Sequence, residues 1–284
     1  MKSRRTFLKN GCAAVAGSLL LNKVSWGNTA NQSRDFGFEV WTIRQELMND
    51  FSGTLKKMAG MGYHEVEMCS PLGYSKQGFE PLNKLSGKEL RNIIEDSGIK
   101  CTSSHYNMGE LRDHLDNRIA WAKDLGMEQM IIASFGLPQN AVADDYRRAA
   151  DELNNIGKKT KEAGIQVGFH NHHGEFEKRG NDLIYDILLE QLDPDLVKMQ
   201  FQVAVIDIGY KAADYFKKYP GRFISAHLAD YSVKDSKQVP IGDGIVDWNE
   251  FFDAAKIGGV KNFYVEMDPE YFKPSADFLK RHLK

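Results

Sequence analysis

The chain is poor in cysteine, with three in 284 residues. Cys12 falls within the first thirty positions, and the two that follow, Cys69 and Cys101, are too few for a disulfide framework. Both read as buried small hydrophobes. An excess of one charge is also missing: 37 Lys and Arg against 39 Asp and Glu leave a net charge of -2. Nucleic-acid binding calls for a basic patch, so no nucleic-acid partner is expected. Neither G-x-G-x-x-G nor G-x-x-x-x-G-K-[ST] occurs, which removes the usual phosphate-cradling loops. There is no low-complexity tract and no clear internal repeat. No apolar run is long enough for a comfortable membrane span.

The first feature present is Ser3-Arg4-Arg5-Thr6-Phe7-Leu8-Lys9, a twin-arginine sequence ahead of an apolar, small-residue stretch at 11–21. That pattern marks export of a folded protein. Residues 1–30 are therefore expected to be an export signal, with the mature chain, 31–284, periplasmic or otherwise exported and off the membrane once the signal is removed. Cys12 precedes the apolar stretch and is badly placed for lipid attachment.

From Phe36 onward, short β-rich runs alternate with longer helical patterns. Strands are expected over 38–43, 65–68, 100–105, 129–135, from 165, and over 197–205, 223–228 and 262–267. Between them lie helical patterns over 54–61, 115–125, 144–163, 182–191 and 212–219. Another opens at Ser86 with Glu89 in a capping box, another at Asp247 with Glu250, and a last one closes the chain. Gly62, Gly98, Gly126 and Gly164 follow helical segments as stop signals. Eight strand–helix pairs in about 250 residues are the count of a single (β/α)8 TIM barrel, class α/β. A doubly wound open sheet is the alternative, but it usually has fewer strands and a glycine-rich phosphate loop.

Ile165 to Glu177, IQVGFHNHHGEFE, begins as an apolar strand and ends in ligand-type residues. His170 and His172 are two apart, so on a strand they share a side. A TIM barrel places its chemistry at the C-terminal ends of its strands. Four of the eight histidines, His105, His170, His172 and His227, fall at such ends, beside Glu266. His64, His114 and His282 are peripheral, and His173 should point away. Tyr264, Glu266 and Asp268 share one face of the last strand. Imidazoles with a carboxylate suit a divalent transition metal, Mn, Co or Zn, better than Mg or Ca. They also suit proton transfer.

Six segments carry a family resemblance by their order and spacing: Phe38-Glu-Val-Trp-Thr-Ile-Arg44, Gly62-Tyr-His-Glu-Val-Glu67, His170-Asn-His-His-Gly-Glu-Phe176, Arg222-Phe-Ile-Ser-Ala-His-Leu-Ala-Asp230, Ile241-Gly-Asp-Gly-Ile-Val-Asp-Trp248 and Tyr264-Val-Glu-Met-Asp268. Across the whole mature chain the sequence resembles the sugar phosphate isomerase/epimerase family of xylose-isomerase-like barrels. The resemblance implies a divalent metal held by Glu, Asp, His and Glu from strands five to eight. His227 and Glu266 match two of those ligands. His170 stands where the first Glu would fall and Gln202 where the Asp would, giving His170, Gln202, His227 and Glu266 as the expected metal set. Two fewer carboxylates shift the preference from hard ions toward Zn, Co or Ni. Glu175 or His172 is then the expected base, with Glu266 beside them. Trp41, His105, Asp230 and Asp268 are expected to touch substrate. Trp248 could stack on a sugar ring or serve as packing. Arg44 could meet an anion, Asp243 reads as a turn residue and Asp247 as a helix cap.

The activity this implies is metal-dependent isomerisation or epimerisation of a sugar, by proton abstraction next to a carbonyl. Export favours free sugars or keto-glycosides over sugar phosphates, so a keto-glycoside lyase or hydratase is a variant on the same site. A carbohydrate-binding barrel without turnover is the rival from another class, prompted by the two replaced ligands. A phosphodiesterase like the endonucleases of this fold is disfavoured by the charge balance. Many such barrels associate, so a homo-oligomer stays open.

Overall fold

In the computed structural model, which describes residues 35–283, the eight runs become eight parallel strands. These are β1 (Gly37–Glu39), β2 (Glu65–Cys69), β3 (Lys100–Asn107), β4 (Gln129–Ser134), β5 (Gln166–His170), β6 (Val197–Gln202), β7 (Phe223–Leu228) and β8 (Asn262–Val265). Each pairs with its neighbours in sequence, and β1 closes on β8, with Gly37 opposite Tyr264 and Phe38 opposite Val265. Closure leaves no unpaired sheet edge. The helices are α1 (Arg44–Asn49), α2 (Phe51–Met61), α3 (Gly87–Glu95), α4 (Met108–Leu125), α5 (Ala143–Glu162), α6 (Ile184–Gln191), α7 (Ala212–Lys218), α8 (Trp248–Gly258) and α9 (Phe272–His282). The expected TIM barrel is the fold. The expected export signal lies outside the described residues. Among those residues no helix is long and apolar enough to cross a membrane.

Strand parity divides the protein into two interiors. Val66 and Met68 on β2 alternate with Glu65, Glu67 and Cys69, and all five are buried. One set packs outward under the helices and the other lines the barrel. The outer layer is aromatic: Phe201 on β6 meets Phe216 and Phe223 edge-on at centroid separations of 5.7 and 6.1 Å. Burying each such ring contributes about 1.5–3 kcal/mol. Gly168, inside β5, leaves space that its neighbour fills, since a Cβ there would stand 2.6 Å from Ile131 Cδ1. The residue two positions on, His170, sits directly above that plug.

Three departures from the sequence reading arise because a side chain captures the backbone. The first strand, expected to reach Ile43, stops at Glu39, whose carboxylate accepts the Trp41 N–H at 2.6 Å and turns the chain into a 3-10 turn, Trp41–Ile43. The sixth, expected to reach Val205, stops at Gln202, whose Oε1 accepts the Ala204 N–H at 3.2 Å and opens the 3-10 turn Val203–Ile208. α4 starts seven residues early, at Met108, because Asn107 caps it through the Glu110 N–H at 2.8 Å. The expected start at Leu115 follows a break in that helix, where His114 has φ -136°.

Candidate active site

The barrel interior is polar and ordered by depth. At the bottom, Glu65 accepts from Asn262 Nδ2 at 2.8 Å, and Thr102 lies 3.2 Å from the Tyr264 hydroxyl. Above it, Glu67 gathers four donors. Ser103 Oγ at 2.5 Å and Gln200 Nε2 at 2.8 Å donate to one oxygen. His105 Nε2 at 3.2 Å and His227 Nε2 reach the other. Gln200 completes the tier by accepting from His105 at 2.9 Å and donating to Ser225 at 2.9 Å. At the mouth, Glu266 Oε2 takes His227 Nδ1 at 2.9 Å and Gln202 Nε2 at 2.6 Å.

This wiring sets the charges. Burial alone would keep His227 neutral, but Glu67 and Glu266, one at each ring nitrogen, outweigh it and raise the imidazole to about 10. His105 is likewise raised, Glu67 overcoming desolvation. Burial would raise Glu67 and Glu266, yet the imidazolium neighbours hold both carboxyls below the ordinary range. Glu39 goes the other way: burial, with Glu266 nearby, lifts it to about 8, so it is protonated at neutral pH. His170 drops well below its usual value through burial and the neighbouring His227, His172 and His105.

Above these groups opens a cleft of about 250 Å³ lined by Trp41, Cys69, Tyr74, His105, Ala133, Ser134, His170, His172 and Glu266. It is smaller than the roughly 300–1,000 Å³ of drug-sized ligand sites, a size for one sugar ring. Trp41 and Tyr74 form an edge-to-face aromatic wall, 6.1 Å between centroids. His172 stands at the entrance, its side chain 55% exposed. Its ring meets His170 edge-on at 4.7 Å, and partial burial lowers its pKa.

The cleft and the cluster beneath it thus bring together Trp41, His105, His170, His172, Gln202, His227 and Glu266, and three other expected residues stand elsewhere. Asp230, expected on substrate, is buried and accepts from the backbone N–H groups of Tyr231, Gly242, Gly244 and Val246 and from Trp248 Nε1 at 2.8 Å. It organises the loop after β7, and Trp248 is packing. Asp268 is exposed beyond the end of β8, past the buried Met267, because the chain leaves the strand direction at a 3-10 turn, Pro269–Tyr271. Glu175, expected as a base, caps its own 3-10 turn, accepting the His172 N–H at 2.7 Å. Gln202, expected on the metal, has both amide atoms engaged, as above. Arg44 packs over Trp41 at 4.4 Å and donates to its carbonyl, so it braces the aromatic wall. Asp247 caps α8 through the Glu250 N–H at 3.0 Å. Cys69 is buried, as read, but lines the cleft and lies 3.5 Å from Glu39. Glu39 and Tyr74 are site residues that the sequence reading does not name, and Gln200 is one that it places on the sixth strand without a role. Strand parity was the available signal, because Glu39, Glu67 and Gln200 alternate with apolar residues on one face.

The donors present fit a metal ion. Ligand atoms of His105, His170 and His227, all buried, lie within 4.8 Å of one another, and His170 Nδ1 is buried with no hydrogen-bond partner. Such an orphaned atom in a packed interior calls for a partner. Residues 55–282 match the Xylose isomerase-like TIM barrel family. The chain belongs to that family. Inosose dehydratase of Bacillus cereus strain AH820 is 24% identical over 266 residues, covering 82% of this chain and 87% of that protein. Inosose dehydratase 2 of another Bacillus cereus strain is 25% identical over 158 residues, 48% of this chain, and the match spans about half of that relative, 52%. A sugar phosphate isomerase/epimerase from Parabacteroides distasonis ATCC 8503 superposes with a TM-score of 0.74 at 24% identity, over 89% of this chain and 95% of the other. Metal-bearing barrels share the fold. The IOLI protein with a bound zinc atom superposes at TM-score 0.59 and 17% identity, over 88% of this chain and 95% of the other. A Mycobacterium smegmatis protein with magnesium superposes at 0.63 and 14%, over 88% and 97%.

Proposed function

We propose that this chain acts on a carbonyl-bearing sugar ring, as a free keto-sugar, cyclitol or keto-glycoside. It removes the proton next to the carbonyl and expels the oxygen substituent one carbon further on. The carrying observation is His172, a half-exposed imidazole at the rim of a ring-sized cleft with His105 and His170 in its floor. His172 takes the proton and the electron pair passes to the carbonyl. As the C–O bond breaks, the same imidazole returns the proton to the leaving oxygen, so no further reactant is needed. A divalent ion, held by imidazoles of that floor, would act as a Lewis acid on the carbonyl oxygen. Trp41 and Tyr74 pack on the ring's apolar face. The named activity of the dehydratase relatives supports elimination over a net change of configuration.

Epimerisation is the second reading. It needs a second proton carrier, and Glu266 lines the same cleft. Incubation of the protein with keto-sugars and keto-glycosides in D2O separates the two. Elimination yields a product lighter by one water or one alcohol, and epimerisation an isomer carrying one deuterium. His172→Ala is expected to slow either reaction at least about 100-fold. Glu175→Gln is expected to lower stability by about 1 kcal/mol while keeping most of the turnover. Turnover that survives in His172→Ala would remove His172 as the base. Binding without any product would favour a carbohydrate-binding barrel. The twin-arginine segment supports a site that works outside the cytoplasm on unphosphorylated substrates.

A further inference from the structure

Three imidazoles converge, and of these the family resemblance gives only His227 as a histidine ligand. His105 on β3, His170 on β5 and His227 on β7 are all buried, their ligand atoms within 4.8 Å of each other and their ring centroids 4.4 to 5.2 Å apart. Gln202 holds Glu266 with its amide nitrogen and its own turn with its amide oxygen, at 2.6 and 3.2 Å, whereas His227, which holds Glu67 and Glu266 with its two ring nitrogens, would give up Glu266 at Nδ1 to receive an ion. His170 lines the cleft floor, and its Nδ1 is buried with no hydrogen-bond partner. We infer that the metal centre of this chain is a three-histidine site formed by His105, His170 and His227, in place of a carboxylate-rich set drawn from β5 to β8. The inference rests on the metal-assisted reading above and fixes its ligands and its class of ion.

Two features of the surroundings support it. Glu67 lies beneath the site and binds both His105 and His227, and a carboxylate in that position orients metal-bound imidazoles and fixes which nitrogen faces the ion. The donors are also of one kind. Imidazole nitrogens favour Zn, Co, Ni or Cu, whereas Mg and Ca need the oxygen donors that this trio lacks. Loading requires neutral imidazoles, so uptake should release protons.

The test is a titration of the metal-free full-length chain with Co(II), read by visible absorption, and with Zn(II) and Mg(II), read by calorimetry. One Co(II) per chain with an intense d–d band is expected, with Zn(II) bound at least about 100-fold more tightly than Mg(II). His105→Ala is expected to weaken Co(II) binding by at least about 10-fold and change the band, and Gln202→Ala to stay within about 3-fold of wild type. If His105→Ala does not fold, His105→Asn gives the same reading from the spectrum, with circular dichroism as the folding control. Unchanged binding in the His105 variant, weakened binding in the Gln202 variant, or Mg(II) binding as tight as Zn(II) would overturn the three-histidine centre. None of these readouts uses turnover. A chain that binds Co(II) through His105 but converts no keto-sugar would therefore keep the centre and lose the proposed reaction.

Discussion

At the scale of single residues, two buried carboxylates do unlike work. Asp230 accepts from four backbone N–H groups and the Trp248 indole. Asp230→Ala would leave several buried donors unpaired, so a loss on the order of 3 kcal/mol is expected by urea denaturation, with Co(II) affinity nearly unchanged. Glu67 neutralises two imidazoles. In the metal-free protein, Glu67→Gln should lower the His227 pKa, readable by NMR, and destabilise the fold by about 3–5 kcal/mol near pH 6. The sign follows from the raised folded value. Protonated His227 stabilises the fold fully below its unfolded value of about 6.5, and that contribution is lost as pH rises through about 10. The gap between wild type and variant should therefore be largest near pH 6 and shrink above pH 10.

At the scale of elements, the segment after β2 carries Tyr74 to the cleft and is anchored on α4. Ser70 Oγ donates to Glu110 Oε1 at 2.5 Å, Asn107 Nδ2 donates to the Gly73 carbonyl at 2.7 Å, and Glu110 Oε2 is buried without a partner. Gly73 is needed here for close approach, since a Cβ would stand 2.2 Å from Glu110 Oε2. Burial raises the Glu110 carboxyl to about 7 against the opposing effects of Ser70 and Arg118. A raised acid contributes stability below its unfolded value that is lost as pH rises through its folded one. Glu110→Gln mimics the protonated acid. It should match wild type near pH 5 and exceed it near pH 8 by up to about 3 kcal/mol, measured by denaturation at each pH. Ser86→Ala should cost about 1 kcal/mol, because it breaks the capping box of α3.

At the scale of the molecule, the barrel makes metal binding and stability one equilibrium. Zinc at about 1,000 times its dissociation constant should add about 4 kcal/mol. The metal-free chain should accordingly gain Tm on loading, and His170→Ala should lose most of that gain in a thermal melt. Export is a property of the whole chain too. We propose the twin-arginine route, for which Arg4→Lys combined with Arg5→Lys should leave the protein in the cytoplasm on cell fractionation, and an unchanged distribution would refute it.

The barrel itself was legible in the sequence because its causes are local. Alternating apolar runs, the Ser86 and Asp247 caps, and glycines such as Gly62 and Gly126 at helix ends each act over a few residues. The presence of His105, His170, His172, His227 and Glu266 at strand ends was legible for the same reason. Their partners were not. Whether Asp230 touches substrate or holds its own loop, whether Gln202 binds an ion or Glu266, and whether Glu175 is a base or a cap depend on which side chains meet across the closed ring. Glu67 and His227 are 160 residues apart in sequence and in contact in space. No periodicity encodes such a pairing. It arises only when β1 closes on β8 and the inward faces of all eight strands share one low-dielectric interior, where each polar group must find its partner.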